Sequence, residues 1–309
     1  MMPLIKFFNY FLIKFRNLVS KNLLLIFAEI LIFKSRNFYK VINLLEKAEV
    51  KIYSQNGEDG IIDYINNSLE LVNYNFVEIG VGDYSEANTR YLYEKYYSKG
   101  LIVDNIDNFY EKVKKNINLW KGDLRISNTS VTSKNINNIL AANCNYEIDL
   151  FSLDIDGIDY WVLKELKPQI SKVFIAEYNP IFGDKLQVTV PNLNNFNRKD
   201  YHYSCLCFGM SLKALMNLMD EKGYYFLGTN RFKNNAFFIS KCFDRIKYFP
   251  KIIINNLEYY TNNNFRESRD INGNLNYLSK DKALANIYDC EVVDLSNNSF
   301  PIKKIRDFF

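Results

Sequence analysis

The chain has 309 residues, 48% of them hydrophobic and 16% aromatic, with a net charge of +4. That much apolar material can build a sizeable core, which excludes a disordered chain, and so small a net charge argues against a dedicated nucleic-acid binder. The five cysteines (Cys144, Cys205, Cys207, Cys242, Cys290) are scattered and His202 is the one histidine, so neither a disulfide framework nor a Cys/His zinc site is expected.

Residues 1–40 carry seven basic residues (Lys6, Lys14, Arg16, Lys21, Lys34, Arg36, Lys40) against one acid, Glu29. This +6 exceeds the +4 of the whole chain and leaves −2 for the remainder. The longest apolar run, Leu23 to Phe33, is interrupted by Glu29 and is too short to span a bilayer. No small-residue cleavage site follows it, so a secretory signal is not expected. Leu, Ile and Phe interleaved with Lys and Arg suit helices lying in a membrane interface, helices packed on the body of the protein, or helices packed on a second copy. Residues 1–49 are therefore read as a basic amphipathic helical arm. The expected setting is a reducing cytoplasm, with the arm at the inner face of the membrane as one possibility.

Tyr53-Ser54-Gln55-Asn56-Gly57-Glu58-Asp59-Gly60 precedes a helix predicted over Ile61 to Leu69. Its polar residues either cap that helix or, through Gln55 and Glu58, fold over a ligand. The ligand site itself is announced by Asn75-Phe76-Val77-Glu78-Ile79-Gly80-Val81-Gly82-Asp83-Tyr84-Ser85. A short apolar strand ends in an acid, then two glycines one residue apart, then a helix predicted over Glu86 to Tyr97. Gly80 and Gly82 lack a Cβ, so backbone there can approach a ligand closely. A dinucleotide fold wants a third glycine where Ser85 stands. An acid two places before the first glycine is instead the usual opening of class I S-adenosylmethionine (SAM) methyltransferases.

A second strand, Gly100 to Val103, ends in Asp104, which lies where an α/β nucleotide site puts the carboxylate that binds both ribose hydroxyls. A third, short strand is predicted to end at Gly122-Asp123, with Asp123 either facing an adenine amino group or serving the turn. The second focal stretch is Ile148-Asp149-Leu150-Phe151-Ser152-Leu153-Asp154-Ile155-Asp156-Gly157-Ile158-Asp159-Tyr160-Trp161. Another strand, Lys172 to Ala176, ends in Glu177-Tyr178-Asn179. Ligands bind outside the carboxyl ends of strands in open α/β sheets, so Asp154, Asp156 and Glu177 should share a cleft with the two glycines. Residues 180–208 form a long connection of the kind used as lids. A helix through Leu212, Leu215, Met216 and Met219 then leads to two strands, Tyr224 to Thr229 and Asn235 to Ile239. That terminal hairpin argues against a nicotinamide-dependent oxidoreductase. The remainder, 242–309, reads as an appendage in which Arg266 and Arg269 either hold an anionic substrate or are solvated.

From Tyr53 to Ile239 the chain resembles the FkbM-like group of SAM-dependent methyltransferases. The resemblance is carried by Ser54 to Gly60, Glu78-Ile79-Gly80-Val81-Gly82-Asp83, Ser152 to Tyr160, and Glu177-Tyr178-Asn179. Asp154-Ile155-Asp156-Gly157 replaces the more usual D-V-E-G form, so the carboxylate at 156 is one methylene shorter. The resemblance implies O-methylation of a sugar or another small hydroxyl-bearing metabolite.

The expected fold is α/β: a Rossmann-like class I methyltransferase domain over 50–241, with a mostly parallel seven-stranded sheet ending in an antiparallel hairpin strand. Glu78, Gly80, Gly82, Asp104 and Asp123 are assigned to SAM. Asp154, Asp156 and Glu177 are assigned to substrate and proton transfer, since a positioned carboxylate can serve as base. A variant places magnesium on Asp154, Glu177 and Asn179, an all-oxygen set resembling metal-dependent O-methyltransferases. The expected partner is a small molecule or glycan, with a homo-oligomer possible and no nucleic acid. The rival from another class is a non-catalytic interaction protein on the same fold, docked at a membrane through residues 1–40.

Overall fold

A computed structural model describes residues 21–183, 185–253, 265 and 267–309; the first twenty residues of the arm and Arg266 lie outside them. The body is a seven-stranded sheet in the order β3-β2-β1-β4-β5-β8-β7. Its strands are β1 (Phe76–Ile79), β2 (Gly100–Asp104), β3 (Leu124–Asn128), β4 (Ile148–Leu153), β5 (Ser171–Glu177), β7 (Tyr224–Thr229) and β8 (Asn235–Ser240). The pairs among β1 to β5 are parallel, whereas β8 runs antiparallel to both β5 and β7. This is the Rossmann-like class I methyltransferase arrangement, and it confirms the expected sheet and its terminal hairpin.

The central strands are apolar on both faces because helices cover both, as parallel sheets require. Side chains alternate between faces with the period of two of an extended chain. Val77, Ile79, Leu101, Val103, Phe151, Leu153 and Phe174 enter one core. That core is closed by α5 (Ile136–Asn143), α6 (Asp159–Glu165) and α8 (Leu212–Glu221). Phe76, Ile102, Leu150, Val173 and Ile175 enter the other. It is closed by α2 (Glu58–Ser68), α3 (Arg90–Tyr96) and α4 (Phe109–Asn116).

Register, more than any single residue, builds the functional edge. Ile79 lies level with Val103 and with Leu153, and Leu153 lies level with Ala176. The next row therefore runs Asn128, Asp104, Gly80, Asp154, Glu177, Asn235 across six neighbouring strands, with Asp104 paired to Asn128 and Glu177 to Asn235. Apolar residues end together and polar ones begin together.

Two expected elements are corrected. The helix predicted from Glu86 begins only at Arg90, because the backbone of Asn88 and Thr89 is captured by Glu78 before it can turn. The third strand starts just after Gly122-Asp123, where it was expected to end.

The segment expected as an appendage is joined to the body. β9 (Glu291–Asp294) pairs with β10 (Ile302–Lys304) and with β6 (Val188–Thr189), a strand of the connection after β5, in a second, antiparallel sheet. Ala283 and Ile287, on or next to α10 (Lys280–Asn286), join Val292 and Ile305 in the first core. At the other end, α1 (Lys21–Arg36) lies on the body, its Arg36 paired with Asp63 of α2 at 2.6 Å. Among the described residues no helix is long and apolar enough to cross a membrane.

Candidate active site

The turn after β1 forms as expected, with Gly80 and Gly82 at φ of +81° and +56°. A Cβ on Gly80 would lie 1.4 Å from the Asp154 carbonyl oxygen, so the ends of β1 and β4 meet only because this residue has none. A Cβ on Gly82 would meet nothing within 4 Å; that position opens into the cleft.

Glu78 does more shaping than was expected of it. It is 4% exposed, and its carboxylate accepts the Asn88 amide at 2.8 Å, the Thr89 amide at 2.9 Å and the Thr89 hydroxyl. Burial pushes its carboxyl up to about 7 against the pull of these donors. The side chain thus holds residues 81–89 in a loop over the cleft. It still lines a cavity of about 420 Å³ with Gly80, Gly82, Glu86 and Asn88.

On the other side of the turn lies a cavity of about 360 Å³ between Gly80, Gly82 and Asp104. Asp104 Oδ2 accepts the Gly82 amide at 2.7 Å and Oδ1 accepts the Asn105 amide at 2.6 Å. Each carboxylate oxygen keeps a second lone pair for a ligand hydroxyl. The walls are mixed: Ile106, Val131, Ile155, Ile158 and Phe196 stand among Thr129, Ser130, Asn194 and Asn195. Asp123 is not there. It precedes β3, and its carbonyl accepts the amide of Gly100 at the start of β2, at 2.9 Å, so it stands at the opposite end of the strands. The adenine-facing role expected of it is corrected accordingly.

The acids after β4 and β5 come together. Asp154, Asp156 and Glu177 each offer an oxygen within 4.8 Å of the others. Burial, and then the charge of its neighbours, pushes the Asp154 and Glu177 carboxyls well above the usual range, and Glu177 hydrogen-bonds Asp154. Two carboxyls so placed resist ionising together. Asp156 differs. It sits at φ +53°, its side chain is 46% exposed, and Arg198 Nη1 donates to its Oδ1 at 2.7 Å. Burial raises its carboxyl, while the Arg198 guanidinium pulls it back down. Asp159, the first residue of α6, accepts the amides of Ile155 and Gly157, each at 2.8 Å, and so fixes the turn that carries Asp156.

Beyond these acids opens a larger cavity, about 830 Å³, walled by Gln55, Arg198, Phe208, Phe232, Phe265 and Tyr277 among others. Asp154 lines all three cavities, and Asp156 lines the largest together with the Asp104 cavity. Gln55 is over the ligand space as expected, but Glu58 is not. Its carboxylate is fully buried and accepts the side-chain amides of Asn230 and Asn235 at 2.8 and 3.1 Å.

Asn179 is likewise spent, which removes it from the expected magnesium set. Its amide donates to the carbonyls of Leu206 and Phe208 at 2.8 and 3.0 Å, and its oxygen accepts the Ile181 amide at 3.0 Å. The contributors that sequence reasoning missed are Arg198, on the short helix α7 (Arg198–Tyr201), and Glu267, which grips the other arm of its guanidinium. Neither belongs to a motif. Arg269, one of the two arginines considered for an anionic substrate, donates instead to the Gly273 carbonyl at 2.8 Å.

No protein-family model matches the chain, and no curated protein matches it. Solved structures that it is similar to include a putative caffeoyl-CoA O-methyltransferase from Staphylococcus aureus, at 14% identity and a TM-score of 0.39, covering 75% of this chain and 98% of that one. An O-methyltransferase family protein from Burkholderia thailandensis stands at 9% identity and 0.36, covering 60% and 59%. Human N-acetylserotonin methyltransferase, solved in complex with SAM, stands at 11% and 0.32, covering 59% and 53%. The chain thus spans less than two thirds of the length of the last two. All three likenesses are remote.

Proposed function

We propose that the chain is a SAM-dependent methyltransferase that methylates a hydroxyl of a sugar or another small metabolite, as its resemblance to the FkbM-like group implies. One observation carries the reading: a single row of the sheet brings the glycine turn, a carboxylate suited to ribose and a cluster of acids to one edge. There a nucleotide-sized cleft and a larger cavity share Asp154.

The residues fit the cofactor. Gly82 leaves open space, Asp104 keeps lone pairs for two hydroxyls, and the walls near it offer both apolar side chains for the face of a base and polar ones for its edge. When bound, SAM supplies an activated methyl on a sulfonium. The protein has to align an acceptor oxygen and take its proton. Asp156, whose carboxyl Arg198 pulls down against burial, receives that proton and passes it to solvent, on which side it is half open. Asp154 and Glu177, which burial and each other's charge hold well above the usual carboxylate range, orient the acceptor. Alignment supplies much of the rate, and a positioned base adds roughly 10²–10⁴-fold. His202 is not a rival base, since it faces Ser204 at 2.7 Å and lines none of the three cavities.

Calorimetric titration of SAM and S-adenosylhomocysteine into the wild type and Asp104→Ala tests the reading. Micromolar binding that collapses in the variant supports it. A folded wild type that binds neither molecule overturns it and leaves the non-catalytic interaction protein.

A second reading has one observation behind it, the three carboxylates within 4.8 Å of one another. Asp154, Asp156 and Glu177 would hold a magnesium ion, with Arg198 displaced, and the ion would lower the acceptor's pKa in place of a base. Loss of activity in chelator that magnesium restores favours it. Indifference to chelator removes it.

A further inference from the structure

The helix α1 presents apolar side chains in two directions. Leu24, Ala28, Leu31 and Ile32 are buried against Val50, Ile52, Tyr53 and Tyr91. On the outer side Ile26, Ile30 and Phe33, spaced four and three residues apart, are 53%, 45% and 71% exposed. A surface helix ordinarily turns polar residues outward. The apolar stripe continues beyond the helix in Val41, 65% exposed.

A second segment, 211 residues further along, arrives beside it. Lys251 Nζ donates to the Lys40 carbonyl at 2.8 Å, and the Ile253 amide donates to the Asn43 carbonyl at 2.8 Å. This segment, which contains the short helix α9 (Arg245–Tyr248), has the same chemistry. Ile246 and Ile253 are 78% and 53% exposed, with Lys247 and Lys251 exposed next to them. The acids on the two segments are Glu29 and Asp244, against Lys34, Lys40, Arg245, Lys247 and Lys251 besides the engaged Arg36. Residues 1–20, which lead into α1, add Lys6, Lys14 and Arg16 and no acid.

We infer that this face docks on an anionic phospholipid surface. Isolated apolar side chains are ordinary on a protein surface, but two segments far apart in sequence, each exposing isoleucines and carrying more basic than acidic residues, are joined at Lys40 and Asn43. Isoleucine and phenylalanine side chains gain by entering the boundary between headgroups and acyl chains, while lysines reach the anionic headgroups on their flexible stems. A second copy of this face would set lysine against lysine, which disfavours a self-complementary dimer. The inference goes beyond the methyltransferase reading and does not depend on it.

Co-sedimentation of the full chain with vesicles of phosphatidylcholine alone, or of phosphatidylcholine mixed with phosphatidylglycerol, tests it. The protein should pellet with the mixed vesicles, remain in solution with the neutral ones, and be released by salt. Replacing both Lys247 and Lys251 by alanine should weaken partitioning roughly 25-fold, about fivefold per lysine. Phe33→Ser combined with Ile246→Ser should abolish it with thermal unfolding unchanged, because both side chains are largely exposed. Equal sedimentation with both compositions, none with either, or a dimer in light scattering that Phe33→Ser dissociates would each overturn the inference. SAM binding, read on the same preparation, succeeds or fails independently.

Discussion

Arg198 Nη1 donates to Asp156 Oδ1 at 2.7 Å, joining the connection after β5 to the turn after β4 across 42 residues of chain. The other arm of the guanidinium meets Glu267, and its face lies 5.3 Å from the centre of the Phe208 ring. An arginine gripped on two arms and stacked on a third side is a fixed charge, and it pulls the Asp156 carboxyl down against the burial that raises it.

Arg198→Gln should therefore lower activity by roughly 10²-fold at neutral pH, within the range a positioned base contributes. With the guanidinium gone, burial and the charges of Glu267 and Asp104 act on Asp156 against only the Glu177 hydrogen bond and its carboxyl rises further, so the acid limb of the pH–rate profile should move to higher pH. SAM affinity should change little. A profile that falls in height without moving would assign Arg198 to substrate binding instead.

The two glycines of the turn should fail in different ways. Gly80→Ala drives a Cβ into the Asp154 carbonyl at positive φ and should cost roughly 2–5 kcal/mol of stability. Gly82→Ala meets no atom, so it should cost only about 1–2 kcal/mol of backbone strain while putting a methyl in the cleft. Thermal unfolding and SAM titration on both variants separate the effects: the first should lose stability, the second affinity.

Asn179→Ala removes the amide that holds the carbonyls of Leu206 and Phe208. Its expected cost is about 1–3 kcal/mol, from the buried partners left unpaired. Asn179 lines the larger cavity and not the two beside the glycines, so KM for the acceptor should rise while SAM affinity stays.

Stability should fall as pH rises from about 4 to about 7. Burial holds Glu49 and Glu78 up to about 7, and Asp59 and Asp159 up to about 6. The unfolded chain releases these protons at roughly pH 4. Across that window the folded chain carries more protons than the unfolded one, so each step up in pH favours unfolding. Melting temperatures measured across the window check this; a rise with pH would contradict it.

The chain read alone disclosed what is local. Alternation and apolar runs placed the strands that end at Glu78-Ile79, Asp104, Asp154 and Glu177, and the hairpin after α8 distinguished the sheet from a dehydrogenase. Strand ends carry ligands in such sheets, so five of the eight assigned residues were found at one edge by that rule together with the glycine turn: Gly80, Gly82, Asp104, Asp154 and Glu177. Asp156 joined them from the turn beyond β4. Glu78 lines the same edge, though its hydrogen bonds go to the loop. Asp123 was misplaced because a short, half-buried strand gives a weak alternation signal, and shifting it by a few residues exchanged its two ends.

What only the tertiary structure decided is how distant groups pair. Nothing near Arg198 in the sequence marks it, and its importance comes from Asp156 and Glu267, which lie 42 and 69 residues away. Nor does periodicity reveal that Asn179 and Glu58 spend their hydrogen bonds inward, or that β6 and β9 bind the long connection to the end of the chain. Secondary structure follows from a residue's own neighbours, whereas a carboxylate's charge state follows from whatever burial and counter-ions the finished fold sets around it.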